Sequence, residues 1–411
     1  MRVSITNPRE VSLGSVQISS LHEVLELKAG SGPSTSSKEQ STAESYAVSD
    51  GDIAAIQSKM AIIVLCKNEP PNTIESVFSG IPHNSLIILV SNSSRSEIDR
   101  YAAEAEKLES FCRLTKRSGI TIHQKDPGAA KAFIAAGSSD IVGDDGLIRN
   151  GKGEGMILGM ALAAWKGLDY IGFIDADNHS PSSVLEYCEC YAAALYYERY
   201  TRGGQDIMVR ISWGSKLKCR DGSLQYDPEG RSSQVVNGWL NKLLEHFAGR
   251  PVNNFIRTGN AGEHAMSMGL AKHMKMAGGF AIEPYEIIYL LEELSNLPIQ
   301  DPKYVGAPVS YSPAVIHQIK TRSPHLHDNK GDEHVKGMWA QALGSLYHSK
   351  ITPPEMKKAL HEFMVKEGDL SPDEMPPKAR VYPALEELKM DLFYSVLGEQ
   401  DATLSDVRFW Q

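Results

Sequence analysis

The chain has no apolar run of the roughly 18–20 residues needed to cross a bilayer. Its first residues, MRVSITNPREVSLGSVQ, lack the continuous apolar core of a secretory signal. Neither a membrane span nor export is therefore expected. Basic residues are in the minority, with 42 Lys and Arg against 51 Asp and Glu, a net charge of −9. Nucleic-acid binding usually needs a basic face, so this balance argues against that partner class. Any anionic ligand must be held by local cations or by a metal. Only five cysteines are present (Cys66, Cys112, Cys188, Cys190 and Cys219), without zinc-ribbon spacing. Cys188 and Cys190 lie two apart in a stretch that reads as helix, so they point to different sides. All five read as reduced thiols of a cytoplasmic protein. There are no internal repeats.

What is present is an ordinary globular composition: 411 residues, 42% hydrophobic and 23% charged, enough to bury a large core. Residues 1–60 hold short apolar patches and a Ser/Thr-rich stretch, Ala29–Ser49, that reads as a mobile loop. From residue 61 to 200 the pattern is α/β. AIIVLC (61–66), LIILVS (86–91) and YIGFID (170–175) are short continuous apolar runs of the kind that form buried parallel strands. Helical patterns at 97–111, 154–165 and 181–197 alternate with them. That alternation predicts a mainly parallel sheet with helices on both faces, with ligands at the carboxyl ends of the strands. Residues 201–350 form a second half, more polar and aromatic over 203–250, with helix-like stretches at 239–247 and 265–274. Residues 351–411 read as a partly helical appendage.

Five polar stretches can carry chemistry. Asp175 and Asp177 close a buried strand, where a turn lets two carboxylates splay around one hard cation; the competing role is capping of the helix that starts at Pro181. Arg149–Gly155 is a glycine-rich turn leading into a helix, with Lys152 as a point charge for phosphate, or it is a plain turn. Residues 323–334 place His325, His327 and His334 in one polar segment, and neutral imidazole is a common ligand of transition ions. Finally, Gly230-Arg231-Ser232-Ser233 and Arg257–His264 each precede an apolar periodic stretch, a plausible seat for an anion.

Seven blocks in order resemble the mannosyl-3-phosphoglycerate synthases: LCKNE (65–69), SGIPH (79–83), HQKDP (123–127), GKGEGMIL (151–158), GFIDADN (172–178), NAGEHAMS (260–267) and PHLHDNKG (324–331). The resemblance spans roughly residues 60 to 350. It implies a retaining glycosyltransferase of the GT-A fold with a Rossmann-like sheet, which moves mannose from GDP-mannose to the 2-hydroxyl of 3-phosphoglycerate. It also implies a divalent metal ion (Mg2+, Mn2+, Co2+ or Zn2+). No membrane or nucleic-acid partner is expected, and a homodimer is the candidate assembly. By the same resemblance Leu65, Asn68, Glu69 and Ser91 seat the nucleoside. Gln124 and Lys125 are substrate-binding positions, and Lys152 meets the donor. Asp175 faces ribose or metal. Asp177 and His327, with His325 as the lesser candidate, bind the metal. Gly230, Arg231 and Ser233 hold the acceptor phosphate, while Asn260, Glu263, Glu283 and Asn329 complete the site. Asp177, Glu263 and Lys152 are the expected catalytic residues. Two alternatives stand beside this: a glucosyl-3-phosphoglycerate synthase using another nucleotide sugar, and a phosphatase with Asp175 as nucleophile. Phosphatases of that kind carry the motif near the N-terminus, followed by Gly-Thr; here Asn178-His179 follows.

Overall fold

The computed structural model describes residues 1–4, 10–27, 45–220, 223–227, 231–295, 297, 313–327, 332–399 and 403–407. Met60–Cys66, Leu86–Ser91 and Tyr170–Asp175 are strands, as their apolar runs require, and they pair in parallel with Leu65 opposite Asp175 and Cys66 opposite Ser91. They form the middle of a twelve-stranded sheet. On one side Gly119–His123 adds in parallel and Ser405–Val407 closes the edge. On the other, His264–Ser267 runs antiparallel to both Tyr170–Asp175 and Asp206–Ser212. Ala314–Lys320 and Val16–Glu26 then resume the parallel direction.

Strand residues alternate between two cores. Ile62, Val64, Ile87 and Leu89 pack with Val184, Tyr187, Cys188 and Tyr191 of helix Pro181–Tyr196. Ile63, Ile88 and Ile120 pack with Met156 to Ala163 of helix Lys152–Trp165. Both faces are covered, which is why the strands carry no polar alternation.

Several expectations are corrected. The stretch 265–274 is not one helix: His264–Ser267 is fully buried and extended between two strands, and Ser267 then caps the short helix Met268–His273 by accepting from Leu270 N. Sheet pairing here overrides helical periodicity. The helix expected from residue 97 starts at Arg100, because Asp99 accepts the Ala102 N–H at 3.0 Å and so caps it. Of the Ala29–Ser49 stretch, residues 29–44 lie outside the described residues. Its end is ordered, contrary to the loop expectation. Ser45–Ala47 pairs with Arg2–Ser4, Tyr46 packs on Tyr197 with ring centroids 4.5 Å apart, and Ser49 caps the helix Asp50–Gln57. The C-terminal segment is helical at Pro354–Lys366 and Met390–Glu399, yet it is no mere appendage. Val381–Tyr382 pairs with Met276–Ala277, and Tyr382 and Phe393 are buried.

Candidate active site

The carboxyl ends of Met60–Cys66, Leu86–Ser91 and Tyr170–Asp175 open onto a cavity of about 880 Å³. Asp175 is the last residue of its strand, and Asp177 sits in the following turn, pinned by Ala176 N–H donating to Leu65 O at 3.0 Å. Both carboxylates line the cavity. The capping role falls instead to Ser180, whose side chain accepts from Ser183 N. The acidic pair is thus left for the cavity.

Helix Lys152–Trp165 delivers Lys152 to the cavity floor. Its Nζ lies 2.8 Å from Asp175 Oδ1 and 2.8 Å from Glu283 Oε1. Burial alone would lower this ammonium's pKa, but Asp175 and Glu283 outweigh it and hold the pKa well above the usual lysine range. The glycines around it serve close packing. A Cβ on Gly153 would meet Ala277 O at 2.1 Å, and one on Gly262 would meet Lys152 Nζ at 2.7 Å. Gln124 lines the cavity and ties the turn together, with Nε2 donating to Arg149 O at 2.7 Å and Gly151 O at 3.0 Å.

Opposite stand the histidines. The His325–Leu326 strand pairs with Lys216 and Leu217, which brings this segment over the Asp175–Asn178 turn, and His179 N–H donates to Leu326 O at 2.9 Å. His327 Nδ1 lies 4.0 Å from Asp177 Oδ2. His325 lies deeper, stacked on Trp213 at 4.4 Å and 3.8 Å from Glu263 Oε1. Of the two, His327 is the one beside the strand-end carboxylate.

Glu263 is fully buried and stands behind the lining. Neither of its oxygens has a hydrogen-bond partner among the described residues. Burial, then the nearby Asp175, push its pKa up to about 8, with Lys152 pulling the other way and Asp177 adding to the rise. Its neighbour His264 is wholly buried with Glu286 and Arg210: His264 Nε2 is 3.0 Å from Glu286 Oε1, and Arg210 donates to Glu286 Oε2 at 2.5 Å, to Thr258 O and to Glu283 O. This network fixes both the 258–264 loop and the start of helix Ile282–Glu293. Asn260 and Glu283 line the cavity, each with one buried acceptor, Asn260 Oδ1 and Glu283 Oε2, that meets no donor among the described residues.

Leu65, Glu69 and Ser233 are also in the lining. Asn68 is not. It adopts a left-handed backbone at φ 64°, and its Oδ1 accepts from Ser94 N at 2.9 Å, so it shapes the turn. Ser91 is likewise set back; with Ser93 it donates to buried Glu104, at 2.5 and 2.6 Å. Lys125 is engaged by Asp145 at 3.0 Å, away from the lining. Gly230 and Asn329 lie outside the described residues, and Arg231 is described only as the first residue of helix Arg231–Ala248. Cys66 lines the cavity, but burial and Glu104 raise its thiol pKa well above the ordinary value, which disfavours the thiolate. Lining residues that the sequence reading missed include Trp213, Gln341 and the 377–380 segment. None of these falls in a motif; only the fold brings them in.

A cavity at the carboxyl edge of an α/β sheet, acidic at its floor and with exposed Lys67 and Arg380 in its wall, suits a nucleotide-linked sugar, and the chain is a glycosyltransferase. The family model of the mannosyl-3-phosphoglycerate synthases matches residues 6–397, and the chain belongs to that family. It is 39% identical over 350 residues to the mannosyl-3-phosphoglycerate synthase of Pyrococcus furiosus, covering 84% of this chain and 86% of the relative. It is 33% identical over 336 residues to that of Aeropyrum pernix, covering 82% and 83%. Among solved structures it is similar to a glucosyl-3-phosphoglycerate synthase from Mycobacterium tuberculosis in complex with Mn2+, UDP-glucose and phosphoglyceric acid. There the TM-score is 0.47 and the identity 19%, over 74% of this chain and 85% of the other, too remote to transfer a residue role. No helix among the described residues is long and apolar enough to cross a membrane.

Proposed function

We propose that the protein transfers mannose from GDP-mannose to the 2-hydroxyl of 3-phosphoglycerate, with retention of anomeric configuration and with a divalent ion bound. One juxtaposition carries this reading: Asp177 Oδ2 and His327 Nδ1 face each other at 4.0 Å in the cavity. Two donors that each sit about 2.1 Å from one ion can be no more than about 4.2 Å apart, so this pair can share one. The charge pattern fits as well. Asp175, Asp177 and buried Glu263 crowd together, with Lys152 offsetting part of their charge, and a divalent cation would relieve the rest of that repulsion. When bound, the ion neutralises the departing nucleoside diphosphate as a Lewis acid.

The chain's own residues supply the rest. Lys152, clamped between two carboxylates, offers a positive charge at a fixed point. Asn260 Oδ1 and Glu283 Oε2 are acceptors for sugar hydroxyls. Arg231, in the first turn of its helix, suits the acceptor phosphate through its guanidinium fork and the helix N-terminus, which aligns the attacking hydroxyl. For retention, we favour entry of that hydroxyl on the face from which the diphosphate leaves. A double displacement would need a carboxylate nucleophile, and Glu263 lies behind the lining instead of in it. Four free, buried thiols (Cys66, Cys112, Cys188 and Cys190) suit a reducing cytoplasm.

The test is a donor panel. Purified protein is given 3-phosphoglycerate and Mg2+ or Mn2+ with GDP-mannose, GDP-glucose or UDP-glucose in turn. GDP-mannose should have the highest kcat/KM. A higher value for a glucose donor would replace this reading with that of the glucosyl enzyme.

A further inference from the structure

Residues 376–382 form a segment beside the cavity that is held at both ends. Upstream, His348 Nε2 donates to Pro376 O at 2.9 Å, and Pro377 packs on Gly344 so closely that a Cβ there would meet Pro377 O at 2.0 Å. Downstream, Gly278 N–H donates to Arg380 O at 2.8 Å, and Val381–Tyr382 pairs with Met276–Ala277. Tyr382 Oη then donates to Glu154 Oε1 at 2.7 Å, while Glu154 Oε2 accepts from Gly279 N at 3.0 Å. Glu154 lies two residues beyond Lys152 on the same helix, so the segment is fastened to the element that builds the cavity floor.

Between these anchors Lys378 and Arg380 line the cavity, both exposed. Neither side chain makes an ion pair or a hydrogen bond among the described residues. Lys152 differs, since its charge is already committed to Asp175 and Glu283. A cavity whose lining includes Glu69, Asp175, Asp177 and Glu283 must nonetheless admit two substrates that each carry phosphate. Uncommitted cations held on a fixed segment answer that need. A guanidinium fork and an ammonium two residues apart match the oxygens of one phosphate group.

We propose that Lys378 and Arg380 are substrate-binding residues that hold a phosphate group, either the diphosphate of the donor or the phosphate of the acceptor. The C-terminal segment is then part of the active site. This rests on the sugar-transfer reading above for the identity of the two substrates.

The test is the double variant Lys378→Ala/Arg380→Ala, with Arg380→Lys as the conservative control. Calorimetry measures GDP with Mn2+ and 3-phosphoglycerate separately, and steady-state kinetics follow. One of the two ligands should bind about ten- to a hundredfold more weakly, with KM rising to match and kcat changed only a few-fold. Arg380→Lys should recover most of the loss, and the melting temperature should hold. Loss confined to GDP assigns the contact to the donor; loss confined to 3-phosphoglycerate assigns it to the acceptor. Wild-type affinity for both ligands overturns the proposal. So does a lowered melting temperature with binding unchanged, which is the mark of a structural segment. If the transfer reading itself fails, the wild-type protein gives no mannosyl product, while the GDP and 3-phosphoglycerate titrations still report on these two residues.

Discussion

Replacing Lys152 by methionine keeps most of the side-chain volume and removes only the charge. In the native protein that charge lies 2.8 Å from Asp175 and 2.8 Å from Glu283. The two carboxylates are not equivalent. Asp175 is 31% exposed and can rehydrate, whereas Glu283 is 2% exposed and cannot. Breaking a buried pair by removing one partner costs about 3–5 kcal/mol, and with only one carboxylate stranded the low end, about 3 kcal/mol, applies. At about 2.1 cal/mol/K per residue, the unfolding entropy of a chain this long converts that to a melting shift of about 3–4 °C. Differential scanning calorimetry reads it directly. Adding Glu283→Gln removes the stranded charge, so the double variant should regain most of the lost melting temperature. It should remain far slower than wild type and bind GDP more weakly, because the cation is still missing. A Lys152→Met protein with wild-type melting and wild-type turnover would refute the clamp and its role together.

Asp177→Ala and His327→Ala should each cut turnover by orders of magnitude with melting nearly unchanged, and each should weaken Mn2+ binding as followed by electron paramagnetic resonance; undiminished Mn2+ affinity in both would remove the metal assignment. Arg231→Ala should raise KM for 3-phosphoglycerate about ten- to a hundredfold and leave KM for the donor within a few-fold. At the N-terminal edge, burial and then neighbouring His317 lower the His22 pKa from 6.5 to about 4, against the Ser4 carbonyl and Glu10, with Arg202 also lowering it. The unfolded chain therefore takes up a proton below pH 6.5 that the native protein refuses. Stability is full above pH 6.5 and should fall by about 3 kcal/mol as the pH drops to 4. Urea titrations of wild type and His22→Asn at pH 7 and pH 4 check this, the variant giving the smaller difference. Replacing residues 29–44 with a short Gly-Ser linker should leave turnover and melting nearly unchanged. Protection of that stretch from proteolysis by GDP-mannose and metal would make it part of the catalytic cycle instead.

The strands and helices of residues 61–200 were legible because the strands are continuous apolar runs with helical patterns between them. Asp175, Asp177 and Lys152 stood out because polar residues at a strand end and in a glycine turn contrast with such runs, and the local pattern offered three histidines alike, with His327 preferred only through the family resemblance. Their partners were less legible. Asn68 and Ser91 belong to a matched block and a strand end, yet one shapes a turn and the other holds Glu104, a distinction set by backbone conformation and burial. His264–Ser267 looks helical until two neighbouring strands claim it. The part played by 377–380 depends on contacts with Gly278 and Glu154, more than a hundred residues distant, and no local pattern carries that information.

The most direct measurement is the structure of the product. Protein incubated with GDP-mannose, 3-phosphoglycerate and Mg2+ or Mn2+ should release GDP and one new compound. Nuclear magnetic resonance should show α-mannose joined to the 2-oxygen of 3-phosphoglycerate, and none should form in the presence of a strong chelator. A β-linked product, free mannose as the only product, or undiminished synthesis under chelation would contradict the account.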